Sequence, residues 1–229
     1  MRLLLCLGIC LARLTVGASQ DWQDALNHMP LGTRVSELNR TNCVNVMLEA
    51  FQSNDVVKAL IFMPGATDEF YMFRRAKAVL TNASPSLLDA VTALTNQTLI
   101  RATFRAPLLL LHTAEDPLEP MVGIKDQATA ALIHRSKFVP HALYNDQDWD
   151  SLLPILKKSY RLTFTPRLHS KYSFHFYRHT FAGWDLDGWE ALEAIALAGK
   201  TRFTVEKKRV AFQGDERVVS LPVIDHYPW

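Results

Sequence analysis

A repeated spacing restricts the folds open to this chain. Val44, Met47, Leu48 and Phe51 stand at positions i, i+3, i+4 and i+7, and Trp149, Leu152, Leu153 and Leu156 repeat that spacing 105 residues later. Each quartet puts its apolar side chains on one face of a helix. Both quartets follow polar capping candidates, Thr41 and Asn42 in the first case and residues 146–148 in the second. Both lead into strand-like runs, over 56–62 and 160–164.

The resemblance continues downstream. In the later stretch Tyr172, Phe174 and Phe176 alternate with Ser173, His175 and Tyr177, the period of a strand with one wet face. Residues 183–188 break that alternation, and Asp187 is placed to cap a helix whose stripe is Trp189, Leu192 and Ile195 with Ala196. Gly199 is expected to end the helix in the left-handed conformation. Phe203 and Val205, a turn at Lys207 and Lys208, then Val210 and Phe212 read as a hairpin. The earlier stretch has Phe70 and Met72 in a strand, a polar break over 81–84 and Pro85 in a first helical turn. Leu88, Val91 and Leu94 form its stripe, and its hairpin pairs Ile100, Ala102 and Phe104 with residues 107–112. Leu108, Leu109, Leu110 and Leu111 are apolar without interruption, which predicts a strand buried on both faces.

This order predicts an α+β protein of two tandem βαββαββ-type repeats, each with helices packed on a small sheet. The expected divisions are a signal peptide over 1–18, a lead over 19–32, a first repeat over 33–116, a linker helix over 117–136, a second repeat over 137–216 and a tail over 217–229. Residues 3–12 form an apolar run behind Arg2, Arg13 interrupts it, and Val16, Gly17 and Ala18 are small enough for a cleavage site. A run that short falls below the roughly 20 apolar residues of a spanning helix, so export with no membrane span after cleavage is expected, to the periplasm or the outside of the cell.

The chain of 229 residues is 48% hydrophobic, enough for a packed core and inconsistent with intrinsic disorder. Its formal charge is +2, and loss of Arg2 and Arg13 with residues 1–18 makes it neutral. Basic residues occur as scattered pairs, so no nucleic-acid partner is expected. Outside residues 1–18 the single cysteine is Cys43, beside the first apolar stripe, where a buried inert thiol is the simplest role.

No residue set matches a catalytic signature: serine-elbow, phosphate-loop and dinucleotide patterns are all absent. His175 and His179 are four apart, but on a strand four residues span about 13 Å, too far for one zinc with ligands near 2 Å. Exposed strand histidines are expected there, and no metal. Asp185 and Asp187 lack the other ligands of a calcium loop, so capping suffices. No cofactor is expected. His112, Glu115 and Asp116 end a buried strand and could serve as general base and acid, with a capped turn as the plainer role. Trp149 and Trp189 start helix stripes and read as core or boundary residues. Trp184 is the aromatic best placed for an exposed contact, and His175 and Tyr177 of the preceding strand are the other binding candidates.

The segments 148–153, 172–176, 189–195, 201–205 and 209–212 together resemble the short N-terminal domain shared by secretins and TonB-dependent receptors. The resemblance covers roughly 139–213, with a fainter copy at 35–113. It implies small periplasmic α+β modules that bind other envelope proteins and are not enzymes. The expected function is therefore an exported, non-catalytic interaction module in envelope assembly or transport, engaging envelope proteins through an exposed strand edge. The alternative is an exported hydrolase or small-ligand-binding protein that uses His112, Glu115 and Asp116.

Overall fold

The computed structural model describes residues 21–32, 35–63, 73, 76–114, 116–138, 142–167, 179–215 and 217, and the side chains of all of these except 142–147. The expected signal segment, the strands around Phe70 and Tyr172, and the candidates His175, Tyr177 and Glu115 lie outside the described residues.

The protein is α+β. A helix over 21–27 comes first. It is followed by β1 (Glu37–Leu38), α1 (Cys43–Ala50), β2 (Ala59–Phe62), β3 (Ala78–Val79), α2 (Leu87–Gln97), β4 (Arg101–Arg105) and β5 (Leu108–His112). Next come β6 (Val122–Ile124), α3 (Gln127–Arg135), β7 (Ala142–Gln147), α4 (Trp149–Tyr160) and β8 (Thr163–Arg167). β9 (His179–Gly183), α5 (Gly188–Ala198), β10 (Thr201–Glu206) and β11 (Arg209–Gly214) complete the described chain.

From β1 to β5 and from β7 to β11 the chain runs through the same order of strands and helices, and the strands pair the same way. β1 pairs antiparallel with β3, and β7 with β9. β4 and β5 form a hairpin whose second strand lies parallel to β2, as β10 and β11 form one whose second strand lies parallel to β8. The second helix of each half begins at a reciprocal cap, Ser86 with Asp89 and Asp187 with Glu190. Each cap is held by a two-bond bridge to the segment upstream of its half. Leu31 N–H donates to Pro85 O and Leu87 N–H to Met29 O, while Phe138 N–H donates to Leu186 O and Gly188 N–H to Ser136 O.

The expectation of one small sheet per half is corrected by the pairing of β2 with β9. It joins strands of both halves into one five-stranded sheet of order β4-β5-β2-β9-β7, beside a four-stranded sheet of order β6-β10-β11-β8. The segment expected to be a linker helix is also part of the core: α3 buries Ala130 and Ile133 against α5, and β6 is an edge strand of the four-stranded sheet.

Successive residues explain the layering. Leu60 and Phe62 of β2, with Leu109 and Leu111 of β5, face α1 and α2. Ala59, Ile61, Leu108 and Leu110 face α3, α4 and α5. The uninterrupted leucines of β5 thus fill both faces of a central strand, as their sequence predicted. The four-stranded sheet alternates instead: Phe203, Val205, Val210 and Phe212 pack beneath the same helices, and the opposite face carries polar residues. The layers run helix, sheet, helix, sheet.

α5 lies between the two sheets and is buried along almost its whole length, with Leu192, Ile195 and Ala194 through Ala198 inside. Two glycines allow its close approaches. A Cβ on Gly188 would lie 2.3 Å from the Ile133 carbonyl oxygen and 2.6 Å from the Tyr160 ring, where α3 and α4 meet α5. Gly199 is not left-handed, at φ −95°; that conformation falls to Lys200, at φ 52°. Gly199 is required by space: a Cβ there would stand 2.2 Å from Nε2 of His179. The expected exposure of His179 is likewise corrected, because β9 is an inner strand and His179 is fully buried with its ring edge-on to Trp149 at 4.7 Å.

Both apolar quartets face inward, with Val44 and Leu153 only partly covered. The expected Asn42 cap is not made: its side chain turns back, accepting from Asn39 N–H and donating to Glu37 O, so it shapes the preceding turn instead. Among the described residues no helix is long and apolar enough to cross a membrane.

The Gly199 contact sets a stability test. Gly199→Ala is expected to cost about 1–3 kcal/mol by overpacking, and a large part of that cost should vanish in a His179→Ala background. Urea midpoints of the four proteins measure the coupling; equal costs in both backgrounds would contradict the contact.

Candidate functional site

Two regions gather polar groups in ways that packing alone does not explain. The first lies where the parallel strands β2 and β5 end, the usual place for sites on such strands. His112 is the last residue of β5 and is 5% exposed. Its Nδ1 lies 2.6 Å from the Thr113 carbonyl oxygen, which only accepts, so Nδ1 carries the proton. Nε2 lies 2.8 Å from the Thr103 hydroxyl, from which the neutral ring accepts a hydrogen bond. This hydroxyl, imidazole and carbonyl series has the outline of an activated nucleophile.

Asp116 closes the turn after His112, accepting from the Thr113 N–H at 2.7 Å and the Thr113 hydroxyl at 3.0 Å. Burial pushes its carboxyl above the ordinary value, and the Thr113 hydrogen bonds, Lys200 and His112 pull the other way. Asp116 shares a cavity of about 10 Å³ with Met63, Lys200 and Asp215. That space holds about one water molecule. Neither His112 nor Thr103 lines it, although Thr113 links His112 to Asp116 by hydrogen bonds. Asp215 is itself engaged by the Arg217 guanidinium, which also donates to Glu119 O at 2.9 Å. Thr103, Lys200 and Asp215 were not picked out from sequence. Thr103 could have been found from the hairpin register, which puts residues 101, 103 and 105 on one face with His112 and Leu110.

The aromatic candidate Trp184 is half-buried and stacks on Phe51 with ring centroids 5.6 Å apart. Its carbonyl accepts from Ser53 Oγ at 3.2 Å. The residue therefore joins the halves. Trp189 also serves packing, stacked on His134 at 4.4 Å while its indole N–H donates to Glu193. Cys43 is buried, and burial pushes its thiol up to about 12.

The second region is the open face and edge of the four-stranded sheet. Phe203 N–H donates to Met121 O, and Lys125 N–H donates to Val205 O. Met121 and Lys125 therefore spend their backbone groups on β10, and by the alternation of a strand those of Val122 and Ile124 point outward. Among the described residues nothing pairs with that outer edge. Val122 and Ile124 stand beside the buried Phe203 and Val205 yet remain 36% and 44% exposed. Two other edge strands are defended by charge or proline: β4 begins and ends in arginine, and β8 ends in Pro166 and Arg167. β6 has neither.

Around the corner from that edge, a shallow groove of about 310 Å³ crosses the open face. Among the described residues Lys125, Arg167 and Arg202 line it, together with the acidic Glu206. Glu206 sits 3.3 Å from Lys125, 3.8 Å from Arg167 and against Arg209, whose hydrogen bond holds its carboxyl below the ordinary value. Among the described residues no group of histidine, cysteine, aspartate and glutamate is placed to hold a metal ion. Comparison of the chain with known protein families, characterised proteins and solved structures finds no match.

The raised Asp116 carboxyl predicts a pH dependence. Between its ordinary value of 3.8 and its higher folded value, the native chain holds a proton that the unfolded chain has released. Its contribution to stability is full below the unfolded pKa and is lost as pH rises through the folded one. Asp116→Asn, which keeps an acceptor for Thr113, removes that loss. The variant should gain on the parent as pH rises above about 4, read from urea midpoints across pH; parallel profiles would contradict the buried carboxyl.

Proposed function

We propose that this chain is an exported, non-catalytic binding module of the cell envelope that takes a segment of another envelope protein as an added strand on β6. The observation carrying this reading is the undefended outer edge of β6. There the backbone groups of Val122 and Ile124 face away from β10, and their apolar side chains extend the buried face of Phe203 and Val205. Strand addition draws affinity from backbone hydrogen bonds and needs no catalytic residue. The resemblance of residues 139–213 to the short N-terminal domain of secretins and TonB-dependent receptors supports an envelope setting, and the apolar run over 3–12 supports export. Trp184 is the weaker contact, since its ring is spent on Phe51.

Ile124→Pro deletes an outward donor and leaves the bonds of Met121 and Lys125 to β10 in place. In capture from envelope extract by the purified full chain, it should abolish recovery of the partner. Leu99→Ser, at a residue 76% exposed far from this edge in sequence, should not. Trp184→Ala should lower stability more than capture. Undiminished capture by Ile124→Pro would overturn the reading. The alternative, an exported hydrolase or small-ligand-binding protein acting through His112, Glu115 and Asp116, draws its support from the Thr103 hydroxyl on His112. Ester or peptide turnover abolished by His112→Ala would favour it.

A further inference from the structure

We infer that the strand received by β6 alternates apolar with acidic residues, its carboxylates lying over the basic groove on the open face of the four-stranded sheet. The inference rests on the strand-addition reading above and names the chemistry of the partner.

The two sides of an added strand would meet different surfaces, because successive side chains of a strand point to opposite faces. On the helix side, the neighbours across β6 are Val122 and Ile124, which continue Phe203 and Val205 to the sheet margin. Apolar residues of the incoming strand would cover them. On the other side lies Gly123, opposite Thr204. With no side chain on Gly123, the face is notched at the edge, and a Cβ built there would already sit 3.1 Å from Thr204 Oγ1. A side chain from the added strand reaches over this notch into the groove.

The charge of the groove decides what that side chain is. Lys125 and Arg167 keep 68% and 44% of their side-chain surface exposed, and both approach the same carboxylate, Glu206, which Arg209 also engages. Among the described residues, Lys125, Arg167 and Arg209 thus converge on one carboxylate. A lysine or arginine arriving beside Lys125 and Arg167 would meet like charge, whereas a carboxylate would meet opposite charge. A bare polyanion such as single-stranded nucleic acid could use the groove but not the outward N–H and C=O groups or the apolar margin of β6, so a peptide strand fits more of the surface.

The test uses the purified full chain and three fluorescent eight-residue peptides, alternating Glu-Val, Ser-Val and Lys-Val, with binding read by anisotropy at low salt. The Glu-Val peptide should bind at least about tenfold more tightly than Ser-Val, and Lys-Val should not bind. Raising salt to about 0.5 M should remove most of the difference, as expected of screened, partly exposed charges. Lys125→Glu and Arg167→Glu, both at exposed side chains, should bring Glu-Val binding down to the Ser-Val level with the circular dichroism spectrum unchanged. Ile124→Pro should weaken Glu-Val and Ser-Val alike. Equal binding of Glu-Val and Ser-Val, sensitive to Ile124→Pro, would overturn the acidic preference and leave strand addition standing. Binding of Glu-Val insensitive to Ile124→Pro, or displaced completely by an oligothymidylate that binds the Ile124→Pro variant equally well, would overturn both. Should deletion of residues 218–229 be required before any peptide binds β6, the occupant of the edge is the chain's own terminus, and the acidic partner is overturned.

Discussion

Burial of α5 between the two sheets is the constraint on which the remaining architecture depends. Leu192, Ile195 and Leu197 leave water almost completely, and each such side chain contributes on the order of 1.5–3 kcal/mol. A helix covered on nearly all sides needs small residues where backbones approach, and four alanines with Gly188 and Gly199 at its ends supply them. Its few charged residues reach the margins. Glu190 meets Lys58 at 3.3 Å and Glu193 meets Arg105 at 2.7 Å, both partners belonging to the first half of the chain. These pairs are partly solvated, so they orient the helix more than they stabilise it.

The halves thus stack in one direction. The sheet face of the first half that turns away from α1 and α2 is covered by helices of the second half, and apolar Ile61, Leu108 and Leu110 line it. The matching face of the four-stranded sheet carries Thr165, Arg209 and Gln213 in corresponding strands. Polar groups there leave the surface wet, and a further apolar helix layer would have to bury them without partners. The same substitution of polar for apolar residues that ends the stack also produces the basic groove. Architecture and candidate site have one physical origin.

The two candidate regions differ in the state of their polar groups. At the end of β5 the buried groups are engaged with one another: His112 with two threonines, Asp116 with Thr113, Asp215 with Arg217. Such satisfied networks rigidify a junction and leave little to offer a ligand. At β6 the backbone groups and two aliphatic side chains face outward beside Lys125, whose side chain is largely exposed. The contrast is the physical ground for the strand-addition proposal.

Local chemistry in the sequence determined the elements. Periodicity located α1, α4 and α5 and the two hairpins, the capping geometry at Asp187 was readable from its place before an apolar stripe, and the unbroken leucines of β5 announced burial on two faces. These depend on residues within a few positions of one another. Tertiary structure alone decided which strands share a sheet, because the pairing of β2 with β9 joins residues about 120 positions apart and no local pattern encodes it. That pairing buried His179, enlisted Trp184 as packing against Phe51, and made Gly199 a matter of space instead of backbone hand. The groove was equally illegible beforehand: Lys125, Arg167 and Glu206 become neighbours only when β6 and β8 flank the β10 and β11 hairpin, since charge converges through strand order and not through sequence distance.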